Sequence, residues 1–111
     1  MTALTSNRNN SSSMAVLLSL MAKFREKQDE ASFIMSTIDV TDGLGPLRVA
    51  DHTESLRDAM KLLRSMAVTL GSIIRNHSDL VTSDNITSLT VSLDDLVSKR
   101  QVCLRYLDER S

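Results

Sequence analysis

Apolar residues recur along the middle of the chain at alternating steps of four and three positions. The series consists of Leu56, Met60, Leu63, Ala67, Leu70 and Ile74, and we call it the heptad seam. Such spacing aligns its members along one side of an α-helix, as in helices that supercoil against a neighbour. The pattern predicts a helix over about 51–78 that packs against other helices.

A second apolar line accompanies the heptad seam at seven-residue spacing. It consists of Ala59, Met66, Ile73 and Leu80, and we call it the flanking line. A two-stranded coiled coil needs only one narrow seam, whereas a wider apolar stripe is typical of a helix in a bundle. We therefore expect the middle helix to contact at least two neighbouring helices.

The residues before and after this segment carry similar periods. The first series consists of Met14, Leu17, Met21, Phe24, Gln28, Ala31, Met35 and Ile38, and it predicts a helix over about 12–39. The third series starts with Ile86, Leu89, Leu93 and Leu96 and predicts a helix over about 83–110. Arg100 and Cys103 fall on the third series, so we expect its stripe to shift towards Val97 and Leu104. Arg100 is either an interface ion-pair residue or the end of the stripe.

Breaks in the pattern divide the chain at two places. A tight loop is expected at 40–50, where Gly43, Gly45 and Pro46 interrupt the helical period. Asp51 with Glu54 resembles a capping box at the next helix start. The second break, at 82–85, offers a fresh N-cap for the third helix. Residues 1–11 are polar and are expected to form a flexible N-terminal tail, which leaves 12–111 as a single helical domain.

The predicted fold is therefore all-α, an elongated three-helix bundle with coiled-coil-like packing. Helices of about 25 residues would each be ~38 Å long at 1.5 Å per residue, which is long for this chain length. Among 111 residues there are only two Phe, one Tyr and no Trp, against six Met. We expect a core of aliphatic side chains and adaptable methionines.

Charge and composition narrow the classes of partner. The net charge is −1 and no basic stripe is visible, so nucleic-acid binding is not expected. No stretch approaches the roughly 20 apolar residues of a membrane span, so membrane insertion is not expected either. Cys103 is the only cysteine, which excludes an internal disulfide and favours an intracellular, cytoplasmic location.

Few residues suggest chemistry, and we predict no catalytic, cofactor-binding or metal-binding residues. His77 with Asp79 or Asp84 could hold a metal, but a histidine facing solvent or near a helix cap explains it more simply. Cys103 is expected to be a packing residue, because no histidine is placed to activate its thiol. Adjacent Asp94 and Asp95 point about 100° apart on a helix and do not form an acid–base pair.

The expected function is a non-catalytic helical subunit or adaptor within a scaffold, tethering or regulatory assembly. Its partners would be other helical protein subunits, or a second copy of itself in a homo-oligomer. The expected interface residues are Leu56, Met60, Leu63, Met66, Ala67, Leu70, Ile73, Ile74, Leu89, Leu93, Leu96, Met14, Leu17 and Met21.

The alternative is a small all-α enzyme that binds an anionic metabolite in a helical-bundle dimer. Its ligand would contact a set of basic residues, namely Arg25, Arg57, Lys61, Arg64 and Arg75. This alternative requires those side chains to converge on the interior of the bundle. Arg57, Lys61 and Arg64 lie off the heptad seam, which disfavours it.

Overall fold

The computed structural model consists of three helices in chain order. It describes the backbone of residues 2–38 and 46–110, and side chains over 12–38 and 48–110. The helices are α1 (Thr2–Ser36), α2 (Pro46–Asn76) and α3 (Ser83–Arg110). The described residues contain no strand. The prediction of an all-α three-helix fold is therefore confirmed.

Helix α1 begins at Thr2, whereas the sequence pattern predicted a start near residue 12. Neither glycine nor proline interrupts residues 2–36, so nothing in the backbone chemistry stops the helix from continuing towards the N-terminus. That the segment 1–11 is flexible stays a prediction. Hydroxyl groups close the other end of α1, because Ser36 donates to the carbonyl of Phe33 at 2.7 Å and Thr37 donates to that of Ile34 at 2.7 Å.

Helix α2 begins at Pro46, five residues before the start that the capping-box pattern predicted. Proline is well tolerated in the first turn, where its missing N–H would have no helical partner. Asp51 and Glu54 therefore lie inside the helix, and the capping-box prediction was wrong. Of the tight loop expected at 40–50, residues 40–45 lie outside the described residues, while 46–50 belong to α2.

Helix α3 has the predicted bounds, and its predicted cap is present. The Oγ1 atom of Thr82 accepts a hydrogen bond from the N–H of Asn85 at 3.1 Å, as an N-cap residue does. The carbonyl of Thr82 accepts the first helical bond, from the N–H of Ile86 at 3.1 Å. The apolar stripe does not shift as expected: Cys103 is buried, whereas Val97 is 42% exposed.

The core runs the length of the bundle and consists almost entirely of aliphatic side chains. The core residues of the N-terminal part belong to the first predicted series. Phe24 is the one aromatic residue of the core and is fully buried, at 0% exposure. The α2 members of the core are Val49, Leu56, Ala59, Leu63, Met66, Leu70 and Ile73. From α3 come Leu89, Leu96, Cys103 and Leu107. Each of these α3 residues is buried against α1 or α2.

The bundle is elongated, as the helix lengths predicted. Its Cα radius of gyration is 18.4 Å, against about 13 Å expected for a compact chain of this length. Helix α2 packs against both other helices, whereas the contact between α1 and α3 is the smallest of the three. The middle helix therefore has two neighbours in its own chain, and the side of the bundle between α1 and α3 is the more open one.

Candidate interaction surface

In the folded chain the flanking line joins the core, together with the heptad-seam residues Leu56, Leu63 and Leu70, while the rest of the seam lies outside it. The flanking-line residues Ala59, Met66 and Ile73 are all fully buried, at 0% exposure. From the heptad seam, Ala67 is exposed and Ile74 is 43% exposed. Only part of the circumference of a helix can face the core. Because the flanking line occupies that part of α2 together with half of the heptad seam, the other half of the seam faces outward. The seam as predicted is thus half core and half surface.

The predicted interface residues divide accordingly into three groups. The buried ones are Leu17, Leu56, Leu63, Met66, Leu70, Ile73, Leu89 and Leu96. Those of intermediate exposure are Met21, Met60 and Leu93, and the exposed ones are Met14, Ala67 and Ile74. Side chains of the first group are covered by the chain's own helices. A partner that leaves the bundle closed can reach only the others, and whether it binds there stays a prediction.

The exposed side of α2 carries a short apolar surface of its own. We call it the outer stripe and define it as Met60, Ala67, Val68 and Ile74. Val68 is 69% exposed, an unusual fraction for a large aliphatic side chain. Gly71 lies among these residues, and a Cβ atom there would meet only the guanidinium of Arg75, at 3.1 Å. No other helix of the described part of the chain therefore approaches Gly71 closely.

Arg100 takes a part in the fold that the sequence pattern did not predict. Its Nε atom donates a hydrogen bond to the backbone carbonyl of Leu56 at 2.9 Å. The bond joins α3 to the N-terminal half of α2. The sequence suggested that Arg100 either forms an interface ion pair or marks the end of the apolar stripe. Instead, its side chain bonds to a backbone carbonyl, and the stripe continues to Cys103 and Leu107. The guanidinium instead fixes one side of the α2–α3 packing.

His77 is buried rather than facing solvent. It is 9% exposed and lies at the end of α2, seven positions after Leu70 on the same line of core residues. Its N–H donates to the carbonyl of Ile73 at 2.9 Å, and its carbonyl accepts from Leu80 at 3.0 Å. Its Nδ1 atom has no hydrogen-bond partner within the described part of the chain. His77 is thus a buried residue at the end of the core, where the chain turns from α2 to α3.

The remaining candidates for chemistry lie apart from one another. Cys103 is buried, and this burial raises the pKa of its thiol, which disfavours the reactive thiolate. Asp94 and Asp95 are both exposed on α3. Over the described residues no group of three or more His, Cys, Asp or Glu could hold a metal ion. No described helix is long and apolar enough to cross a membrane.

The basic residues of the alternative enzyme hypothesis lie on the exposed faces of α1 and α2. Arg57 pairs with Glu54 at 3.3 Å, and Lys61 approaches Asp58 at 3.9 Å, each within its own helix. The Nη1 atom of Arg25 donates to the side chain of Gln28 at 3.2 Å. Arg64 and Arg75 are also exposed. The structure does not bring these side chains together in the interior.

Comparison with known proteins gives one partial likeness. In an alignment of 94 positions that covers 78% of this chain, the sequence is 28% identical to the tyrosine-protein kinase transforming protein Fps of Fujinami sarcoma virus. The matched part is 11% of the viral protein, so the chain spans about a tenth of that relative. No family model matches the chain. No solved structure matches it either.

Proposed function

We propose that this chain is a non-catalytic helical subunit or adaptor that joins a multi-helix protein complex. The outer stripe of α2 would be its principal contact, in coiled-coil-like packing against a helix of another subunit or of a second copy. The assembly would be a scaffold, tethering or regulatory complex in the cytoplasm. The free, buried thiol of Cys103 agrees with such a reducing compartment.

The observation that supports this proposal is the exposure of apolar side chains at heptad spacing. Met60, Ala67 and Ile74 are seven residues apart, so they form a straight line along α2 outside the chain's own core. Val68 follows Ala67 in the sequence and points about 100° away from it, so it lies at the edge of this surface. Single exposed apolar residues are common on protein surfaces, but an aligned set is typical of a helix contact.

The chemistry of the outer stripe suggests the kind of partner. Arg64 and Arg75 border it on the solvent side of α2 and are exposed. A partner helix with an apolar stripe and flanking carboxylates would bury the apolar line and pair with these arginines, as e and g residues do in coiled coils. The balanced net charge of −1 gives no comparable reason to propose nucleic acid as the partner.

The likeness to the viral protein adds limited support. It concerns a minor part of a larger protein, so the kinase activity in that protein's name is not proposed for this chain. A related sequence within a longer polypeptide agrees with use as a helical module beside other domains. The proposal itself stands on the outer stripe.

The test is a paired comparison of affinity-tagged variants expressed in cells of the source organism. In Ala67→Asp/Ile74→Asp, two carboxylates replace apolar groups of the outer stripe. In the control Val97→Asp, one carboxylate replaces an exposed valine on α3. We expect the wild type and the control to retain the same co-purifying proteins or the same oligomeric state. The double variant should lose them with only a small decrease in melting temperature, because Ile74 is partly exposed.

Equal association of all three proteins would refute the outer stripe as the interface. Loss of association together with a large drop in melting temperature would not count as support, since it would reflect unfolding. In that case the milder variant Ile74→Ser tests whether the outer stripe is the interface. It removes apolar area from the outer stripe without introducing a charge, and it should still weaken the association.

A further inference from the structure

A groove lies between the last two turns of α1 and the C-terminal half of α3. Its volume is about 420 Å³, and eight of the described residues line it. The groove occurs on the open side of the bundle, where α1 and α3 make the smallest helix contact. None of its residues belongs to the outer stripe of α2, so the groove is a separate surface.

The floor of the groove is apolar and its rim is polar. Met35, Ile38 and Cys103 form the floor, with exposures of 6%, 5% and 7%. Val102 stands on the wall and is 59% exposed. The rim includes serine hydroxyls and the exposed ammonium group of Lys99. Small-molecule sites commonly combine such an apolar base with a few convergent polar groups.

The ammonium group of Lys99 at the rim forms no ion pair with another described residue. Both ion pairs found in the described part of the chain lie on α2, and neither includes Lys99. An anion at the rim would therefore gain a partner without displacing an existing one. Among the described residues that line the groove there is no carboxylate that would oppose it.

The size of the groove distinguishes between two kinds of occupant. A stable protein interface needs roughly 20–30 residues a side, far more than the eight that line this groove. A volume of about 420 Å³ lies instead within the ~300–1,000 Å³ range of small-molecule sites. The occupant that fits both the size and the charge is a small amphiphilic anion.

We propose that this groove binds a single-chain aliphatic carboxylate. The alkyl chain lies over Met35, Ile38 and Cys103, and the carboxylate lies at Lys99 near the serine hydroxyls. Burial of the chain supplies the driving force, and Lys99 selects an anion over a cation of the same length. The inference does not depend on the proposed adaptor function.

The test uses sodium decanoate as the probe and methionine methyl NMR as the readout, on the full chain and below the micelle concentration. Met35 lines the groove, whereas Met66 is fully buried at 0% exposure and does not line it, so it serves as an internal control. We expect a saturable shift of the Met35 methyl signal, with a Kd on the order of 1 mM for a ligand of this size. The Met66 signal should stay in place.

Two variants and a second probe test the position of the ligand. Lys99→Gln should weaken decanoate binding by roughly two- to fivefold, the range for an exposed ion pair. Lys61→Gln, on the exposed face of α2, is the matched control and should bind as the wild type does. Val102→Asp should weaken binding further, because its carboxylate opposes that of the probe. Decyltrimethylammonium should bind more weakly than decanoate.

Several results would overturn the proposal. These are no shift at Met35, equal shifts at Met35 and Met66, an unchanged affinity in Lys99→Gln, or equal binding of the cationic probe. Thermal unfolding of each variant identifies a loss of binding that comes from a loss of structure. If Val102→Asp does not fold, Lys99→Gln with its Lys61→Gln control still decides.

Discussion

Ile73 and Ile74 are adjacent residues of one type in opposite environments, and they provide the sharpest test of the α2 register. Ile73 belongs to the flanking line and is 0% exposed, whereas Ile74 belongs to the outer stripe and is 43% exposed. Truncation to alanine removes the same atoms at both positions. Any difference in the free energy of unfolding therefore reports burial rather than side-chain chemistry.

The expected magnitudes differ several-fold. Ile73→Ala removes a fully buried side chain and leaves a cavity, which should lower the free energy of unfolding by about 2–5 kcal/mol. Ile74→Ala removes a side chain that is nearly half in water and leaves no closed cavity, so we expect ~1 kcal/mol or less. The larger loss is a sizeable fraction of the ~5–15 kcal/mol that typically stabilises a domain.

The assay is urea unfolding followed by circular dichroism, with the linear extrapolation to water compared between the two variants. If Ile73→Ala does not fold, Ile73→Val replaces it, with an expected loss of ~0.5–1.5 kcal/mol. Equal losses, or a larger loss for Ile74→Ala, would refute the register. Ile74 would then face the core, as the heptad-seam prediction had it.

Three other residues yield predictions that unfolding measurements can check. Arg100→Met keeps the aliphatic stem but loses the hydrogen bond to the Leu56 carbonyl, so it should lower the free energy of unfolding by ~1–2 kcal/mol, while Arg105→Met on the exposed face should have little effect. Equal effects in urea titrations would remove Arg100 from the α2–α3 packing. Thr82→Ala loses the N-cap of α3 and should cost ~0.5–2 kcal/mol, whereas the exposed Thr87→Ala should cost less; a smaller effect at Thr82 would contradict the cap. Burial raises the pKa of Cys103, so the unfolded thiol ionises first as pH rises past about 8.5. The folded state then binds more protons, and stability should fall above that pH and stay level below it. Cys103→Ala should remove this part of the pH dependence, and an unchanged profile would show that the thiol does not cause it.

The all-α class and the three helical segments could be predicted from the sequence, because apolar residues at helical spacing mark the side of a helix that is buried. Leu17 and Phe24 in α1 lie on the buried side that their period predicted. The helix starts were less predictable, because the turn chemistry around Pro46 allows either a break or a first turn. At the start of α1, residues 2–11 carry no apolar period, so the pattern did not extend the predicted helix to Thr2.

Which part of the wide apolar stripe on α2 faces outward could not be determined from the sequence. The angular positions of its two apolar lines differ by less than the width of the stripe, so tertiary packing decides which edge faces outward. The burial of His77 could have been predicted from the sequence. His77 continues the seven-residue spacing of Leu56, Leu63 and Leu70, and it is buried as they are. The hydrogen-bond acceptor of Arg100 could not be predicted from the sequence, because every residue has a backbone carbonyl and no residue type marks the one that is used.

The central claim is that one chain covers its own core and leaves the outer stripe of α2 for a partner. The most direct measurement is urea unfolding of Ala67→Asp/Ile74→Asp at two concentrations a hundredfold apart, with the oligomeric state determined by sedimentation. We predict a folded monomer with one cooperative transition and the same midpoint at both concentrations. A midpoint that rises with concentration would show that the core needs a second chain and would contradict the claim.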